Sequence, residues 1–243
     1  MIPWWSASKE TLLPLPETTK TPVVDLRGVW RRYGVDPAVE ALRDVDLQVL
    51  PGEWVAIVGP SGSGKSTLLN IVGCLDRPTS GSYWFNGIDV ARLTDKQRAG
   101  LRSRDIGFVF QSFHLLSHRT VLENVMVSEV YRRESRRGRR ERAMAALEKV
   151  QLGHRAHFLP TRLSGGERQR AAIARALGGA RSVLLCDEPT GNLDSATSAA
   201  ILDVFEQLNT RGLTILTITH APEVAARARR HVGIIDGVLT ETT

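Results

Sequence analysis

At 243 residues and 42% hydrophobic side chains, the chain is long enough for one large domain or two small ones and carries the material for a real core. It has no run of about 18 apolar residues, which excludes a membrane-spanning helix, and Met1-Ile-Pro-Trp-Trp-Ser6 lacks the basic region and apolar run of a signal peptide, so a cytosolic protein is expected. A net charge of +6 and a pI near 9.8 suit an anionic partner: a nucleotide, a nucleic acid or a lipid surface.

Residues 1–21 are rich in Pro and Thr without periodicity and read as a tail, with Trp4 and Trp5 expected to pack on the domain. Val23 to Trp30 predicts a strand and Leu42 to Val49 a second, closed by the Pro51-Gly52 turn. Trp54 to Val58 is a short apolar strand. Gly59-Pro60-Ser61-Gly62-Ser63-Gly64-Lys65-Ser66-Thr67 follows and leads into a helix to Val72. Asp76 to Gly81 is a turn cluster, and Ser82 to Phe85 with Asn86-Gly87 predicts a strand and tight turn. These pieces suggest an antiparallel sheet beside the phosphate loop.

Ile106 to Phe110 is another buried strand, ending at Gln111. From Thr120 to about Leu177 the chain reads mostly helical, with Ala143, Ala146, Leu147 and Val150 on one face. An inserted helical subdomain is expected over about 112–161. Val183 to Cys186 and Leu213 to Thr219 return to strand character around a helix from Ser195 to Asn209. Val232 to Leu239 predicts a terminal hairpin. Strands alternating with helices argue for a mostly parallel sheet in an α/β core. Cys74 and Cys186 are the only cysteines, both in apolar surroundings, and predict buried reduced thiols.

Three motifs carry chemistry. The first is Gly59 to Thr67, which fits G-x-x-x-x-G-K-[ST] between a strand and a helix. Its glycines let backbone N–H groups curl round a polyphosphate. Lys65 is expected to reach the β- and γ-phosphates, Ser66 to ligate Mg²⁺ and Thr67 to bond the α-phosphate. The second is the apolar strand delivering Asp187 and Glu188 at its end. Asp187 is placed to hold Mg²⁺, and Glu188 to orient or deprotonate a water. The third is Leu163-Ser164-Gly165-Gly166-Glu167, a capping box at an open, glycine-rich helix start. Its exposed N–H groups make a second phosphate site. Two such helix starts in one chain predict that two copies share each nucleotide.

Together these motifs resemble the ATP-binding-cassette ATPase family over about residues 22–240. The resemblance implies a P-loop NTPase core with an antiparallel β subdomain and an inserted α-helical subdomain. It also implies roles for further residues. Tyr33 matches the aromatic that stacks on adenine, Gln111 the glutamine that senses Mg²⁺ and faces the transmembrane partner, and Asp194, in Gly191-Asn-Leu-Asp194, the loop crossing the dimer interface. His220 matches the switch histidine at the γ-phosphate. Ser164, Gly165 and Gly166 would close the site of the opposite copy, with ATP and Mg²⁺ as ligands.

Leu75 to Gly81, Phe108 to Leu116 and Asp187 to Ser195 resemble the subgroup of macrolide-exporter and lipoprotein-releasing ATPases, near the antimicrobial-peptide exporters and the cell-division ATPase. Ser117, Gly179 and Cys186 depart from that pattern at positions without a catalytic role. The expectation is an ATPase motor on the cytoplasmic face of a membrane, driving a separate permease for export, efflux or lipoprotein release. The alternative is ATP-driven mechanical signalling to a membrane partner. An ATP switch acting on nucleic acid is disfavoured, because the chain has one cassette, no heptads and no paired cysteines. A GTPase is disfavoured by the absence of Asn-Lys-x-Asp. The run Arg132 to Arg142 reads first as a solvated loop and helix start, with contact with anionic lipid headgroups as the functional alternative. His114/His118 and His154/His157 have no converging cysteine or carboxylate, so no transition-metal site is expected.

Overall fold

The computed structural model describes residues 20–130, 137–179 and 181–242. The expectation for Trp4 and Trp5, and the stretch Arg132 to Arg136 of the basic run, lie outside them. In chain order the elements are β1 (Val24–Tyr33), β2 (Val39–Val49), β3 (Trp54–Val58), α1 (Lys65–Val72), β4 (Ser80–Phe85), β5 (Ile88–Asp89), α2 (Asp95–Asp105), β6 (Ile106–Phe110), α3 (Val121–Val127), α4 (Arg139–Lys149), α5 (Gly165–Ala176), β7 (Val183–Asp187), α6 (Ser195–Thr210), β8 (Thr214–Thr219), α7 (Pro222–Ala225), β9 (Arg230–Ile235) and β10 (Val238–Thr242).

Two sheets result. One is antiparallel and four-stranded, in the order β2-β1-β4-β5; the other is six-stranded, in the order β10-β9-β3-β8-β7-β6. Within the larger sheet only the β9–β10 hairpin is antiparallel. The fold is thus a mixed α/β cassette, as the alternation of elements predicts.

The parallel strands read as unbroken apolar runs because both their faces are covered. Along β7, Val183 and Leu185 enter one core while Leu184 and Cys186 enter the other. Trp54 and Ala56 of β3 join Cys186, and Val55 and Ile57 join Val183, by the same period of two. The first core lies under α3 to α6. The second lies between the large sheet, α1 and the antiparallel sheet. Trp54 is 2% exposed, donates from Nε1 to Thr217 Oγ1 at 3.1 Å and meets Phe205 edge-on at 6.2 Å, so its indole is both packed and satisfied. Cys74 and Cys186 are free and buried. Burial raises both thiols above their ordinary value, so both stay protonated and inert.

Helices α3, α4 and α5 pack on one another, and Ala143, Ala146, Leu147 and Val150 are buried as their spacing predicts. Two helices are absent from the sequence-based expectations, the four-residue α7 and the longer α2. α2 has the sequence DKQRAGLRSRD and buries only Leu101, so no apolar period marks it. Its signal is at its start, where Thr94 and Gln97 form a capping box, each side chain bonding the other's backbone N–H. Among the described residues no helix is long and apolar enough to cross a membrane.

Candidate nucleotide site

Four neighbouring parallel strands bring the site together. The register pairs Val58 of β3 with Thr219 of β8, Ile218 of β8 with Asp187 of β7, and Asp187 with Phe110 of β6. The next residues along the chain are Gly59, His220, Glu188 and Gln111. Elements separated by up to 161 positions therefore open at one edge of the sheet, the carboxyl edge where α/β folds bind ligands.

The phosphate loop is shaped by close backbone. A Cβ on Gly59 would sit 2.2 Å from the Ile234 carbonyl oxygen, and one on Gly64 2.4 Å from that of Ala41. Gly64 also holds φ 105° and starts α1 with no side-chain cap, which leaves N–H groups of the first turn without an internal acceptor. The Lys65 ammonium folds back and donates to the carbonyls of Gly59 (2.8 Å) and Pro60 (2.7 Å). The Ser63 hydroxyl is buried with no partner among the described residues, while Pro60 and Ser61 face solvent. A cleft of about 520 Å³ opens here, lined by Gly62, Gly64, Lys65, Ser66 and Thr67 and walled by Arg43 and Asp236. An uncapped helix start, a loop of inward glycines and a cation form a polyphosphate cradle, and the residues present fit a nucleotide.

Glu188 is held from three directions. Oε2 accepts from the Thr219 hydroxyl at 2.9 Å; Oε1 accepts from the His220 N–H at 2.9 Å and meets His220 Nδ1 at 2.6 Å. The residue has φ 45°, so its backbone turns sharply just as the strand ends. Neighbouring Asp187 has its carboxyl pushed up by burial first and by the Glu188 charge second, with Lys65 opposing both. A cation beside Asp187 would relieve that penalty, which fits the donor set of an oxygen-seeking metal. Gln111 is clasped to Asn192: its Nε2 donates to Asn192 Oδ1 at 3.3 Å, and Asn192 Nδ2 donates to the Gln111 carbonyl at 3.0 Å. Thr219 lies outside the three motifs, and Asn192, though within Gly191-Asn-Leu-Asp194, has no role of its own in the sequence reading. A hydroxyl at the end of an apolar strand, 0% exposed and therefore in need of a partner, is the hint that Thr219 offered.

Other expected residues stand apart from the cleft. Ser164, Gly165 and Gly166 do not line it. Ser164 caps α5 with the reciprocal box to Glu167, whose carboxyl is held below its ordinary value by the Ser164 N–H and also by Arg155 at 2.8 Å. The paired glycines have a packing reason within the chain: a Cβ on Gly166 would fall 2.5 Å from Thr197 Cγ2, and one on Gly165 3.1 Å from Leu193 Cδ2. Asp194 caps α6, accepting from the Thr197 N–H (2.9 Å) and hydroxyl (2.7 Å). Tyr33 is also outside the cleft lining, though Val39, its partner across the β1–β2 ladder, is part of it.

The description "ABC transporter" belongs to the family model that matches residues 42–191, well over half of the chain. The chain belongs to the ABC transporter family. Within it the chain is an ATP-binding, ATP-hydrolysing cassette. It is 50% identical over 220 residues to the macrolide export ATP-binding/permease protein MacB 1/2 of Paracoccus denitrificans, covering 90% of this chain and 33% of that protein. The chain thus spans about a third of the length of such permease-containing relatives. It is 51% identical over 201 residues to the uncharacterized ABC transporter ATP-binding protein YvrO of Bacillus subtilis, covering 83% of this chain and 88% of that protein. Among solved structures, the dimeric ABC transporter cassette MJ0796 superposes with a TM-score of 0.81 at 39% identity, covering 90% of this chain and 98% of that one. A second structure of the same cassette, a post-hydrolysis dimer bound to ADP and Pi, has a TM-score of 0.80.

Proposed function

We propose that two copies of this chain close around two ATP molecules and that closure drives a membrane permease from the cytoplasmic face, for export or release of a substrate. One observation carries the paired arrangement. The cleft at Gly59 to Thr67 and the helix start at Ser164, Gly165 and Gly166 are separate within one chain, so each copy offers half of two sites. The dimeric state of MJ0796 supports the same reading.

In this scheme Lys65 and the loop amides receive the phosphates, and Thr67 the α-phosphate end. Ser66, Asp187 and Gln111 offer oxygen donors to Mg²⁺, which supplies charge neutralisation at the phosphates when bound. Glu188 positions and deprotonates the attacking water. Oε2 keeps a lone pair beyond its bond to the Thr219 hydroxyl, while the His220 N–H and Nδ1 engage Oε1, and those contacts fix the carboxylate's aim. His220 reaches the γ-phosphate while steering Glu188, and Asp194 lies in the loop that meets the second copy. The domain is proposed to run over 22–240 with its helical subdomain at about 112–161.

The permease reading has its own support. A groove of about 1260 Å³ runs between α2, β6 and the helical region. Phe108, Phe110 and Leu101 make its lining apolar, Lys96, Arg102 and Arg104 make it basic, and among the described residues no carboxylate lines it. Its chemistry suits an amphipathic, acidic cytoplasmic helix of the permease. Most of its lining precedes Gln111 in the chain.

The Glu188→Gln variant tests the paired site. With ATP it should run as a dimer by size-exclusion chromatography and sedimentation. Wild-type turnover should rise more steeply than linearly with chain concentration. Strictly linear turnover with no dimer in Glu188→Gln would overturn the reading. Lys96→Glu should leave basal turnover intact and blunt its stimulation by the permease in vesicles.

A further inference from the structure

Tyr33 ends β1, and its ring is held more firmly than an exposed aromatic needs. Its hydroxyl donates to Asp76 Oδ2 at 2.8 Å. Arg31 Nε meets the same oxygen at 2.9 Å, and the Arg31 guanidinium lies 4.2 Å from the centroid of the Tyr33 ring. The other Asp76 oxygen accepts from the Arg77 N–H at 2.7 Å. The backbone of Asp76 is anchored as well: its N–H donates to the Asn70 carbonyl at 3.1 Å, and its carbonyl accepts from Arg98 at 3.3 Å. Asn70 belongs to α1, whose first residue is Lys65. The tyrosine and the phosphate cradle are therefore tied to one helix, the cradle at Lys65 in its first turn and the tyrosine through Asn70 in its last.

Arg31 and Asp76 are half-buried, with side chains 22% and 25% exposed, and a single such pair adds only modestly to folding. It does remove the freedom of the ring. An aromatic that is already ordered loses less on binding, and that saving appears as affinity. We propose that Asp76 and Arg31 are positioning residues for nucleotide recognition, fixing the Tyr33 ring relative to the phosphate loop so that a purine base stacks on it while the phosphates are cradled. The inference rests on reading Tyr33 as the base platform. Burial alone would push the Asp76 carboxyl up, but the Tyr33 hydroxyl, the Arg77 N–H and the Arg31 charge outweigh it and hold it below its ordinary value. The acceptor is therefore charged at neutral pH.

The test compares ATP with inorganic tripolyphosphate, which has the phosphates and no base. Affinities are measured by calorimetry on the intact chain in EDTA, beside melting temperatures. Tyr33→Phe and Asp76→Asn should each weaken ATP about fivefold and leave tripolyphosphate unchanged. The double variant should be no weaker than either single one, because the two side chains form one bond. Tyr33→Ala should weaken ATP by about tenfold or more. If Tyr33→Ala binds ATP like the wild type, the platform reading falls and the inference with it. If Tyr33→Ala is weak while Tyr33→Phe and Asp76→Asn match the wild type, the inference alone is overturned. Equal losses for ATP and tripolyphosphate would also overturn it, marking the cluster as structural.

Discussion

Two helix starts in this molecule are built from glycine and serine, and they differ in how they finish their hydrogen bonds. α1 begins at Gly64 with no side-chain cap and with Lys65 turned onto its own loop's carbonyls. α5 begins at Ser164 with a complete capping box. The first leaves donors and a charge to be satisfied by a ligand. The second is satisfied locally, and its glycines serve close packing on Leu193 and Thr197. A helix start that folds without a ligand can present its remaining N–H groups to a neighbouring molecule, whereas an unfinished one gains order from what it binds. The difference supports the proposal that α1 is the primary phosphate site and α5 the surface offered to another copy's site.

Variants on either side sharpen or break that contrast. The largest effect is expected at the shared carboxylate: Glu188→Gln should lower turnover by about 10²- to 10⁴-fold while ATP affinity holds. Wild-type turnover in a steady-state assay of that variant would remove Glu188 from the proton-handling role. Next, Lys65→Ala should weaken ATP by about 10- to 100-fold through loss of charged hydrogen bonds, read by calorimetry. Undiminished binding would mean α1 is no more a phosphate site than α5.

Ser164→Ala should cost about 1 kcal/mol of stability through the lost cap, seen as a melting point lowered by about 2–4 °C. ATP affinity of the single chain should be unchanged and ATP-induced pairing lost. A drop in single-chain affinity would place both helix starts in one site. The smallest effect concerns Asp187. Its folded pKa is raised by burial and by Glu188, so the ionised form destabilises the fold at neutral pH. That penalty is lifted as pH falls through the raised value. Asp187→Asn should therefore melt about 2 °C higher at pH 7, with the gap closing in acid. A gap constant with pH would show that the ionisation is not its source.

The chain by itself indicated every strand but β5 and most helices, and it supplied the motifs whose chemistry is proposed above. Apolar runs in Trp54 to Val58 and Val183 to Cys186 have no other soluble reading in this context, and glycine, lysine and serine at fixed spacing state the demand of a phosphate directly. It could not announce α2, whose eleven residues bury only Leu101, because a helix held by its cap and by packing on a strand needs no apolar stripe of its own. It did not reveal Thr219 or Asn192, since a hydroxyl or amide becomes meaningful only when register sets Glu188 or Gln111 beside it. Nor did it show why Gly165 and Gly166 are glycines: that reason sits across the packing with Leu193 and with Thr197 of α6. Tertiary structure decided the order β3-β8-β7-β6. Hydrogen bonding between parallel strands fixes their ends at one edge, and that adjacency turns four separate stretches of sequence into one site.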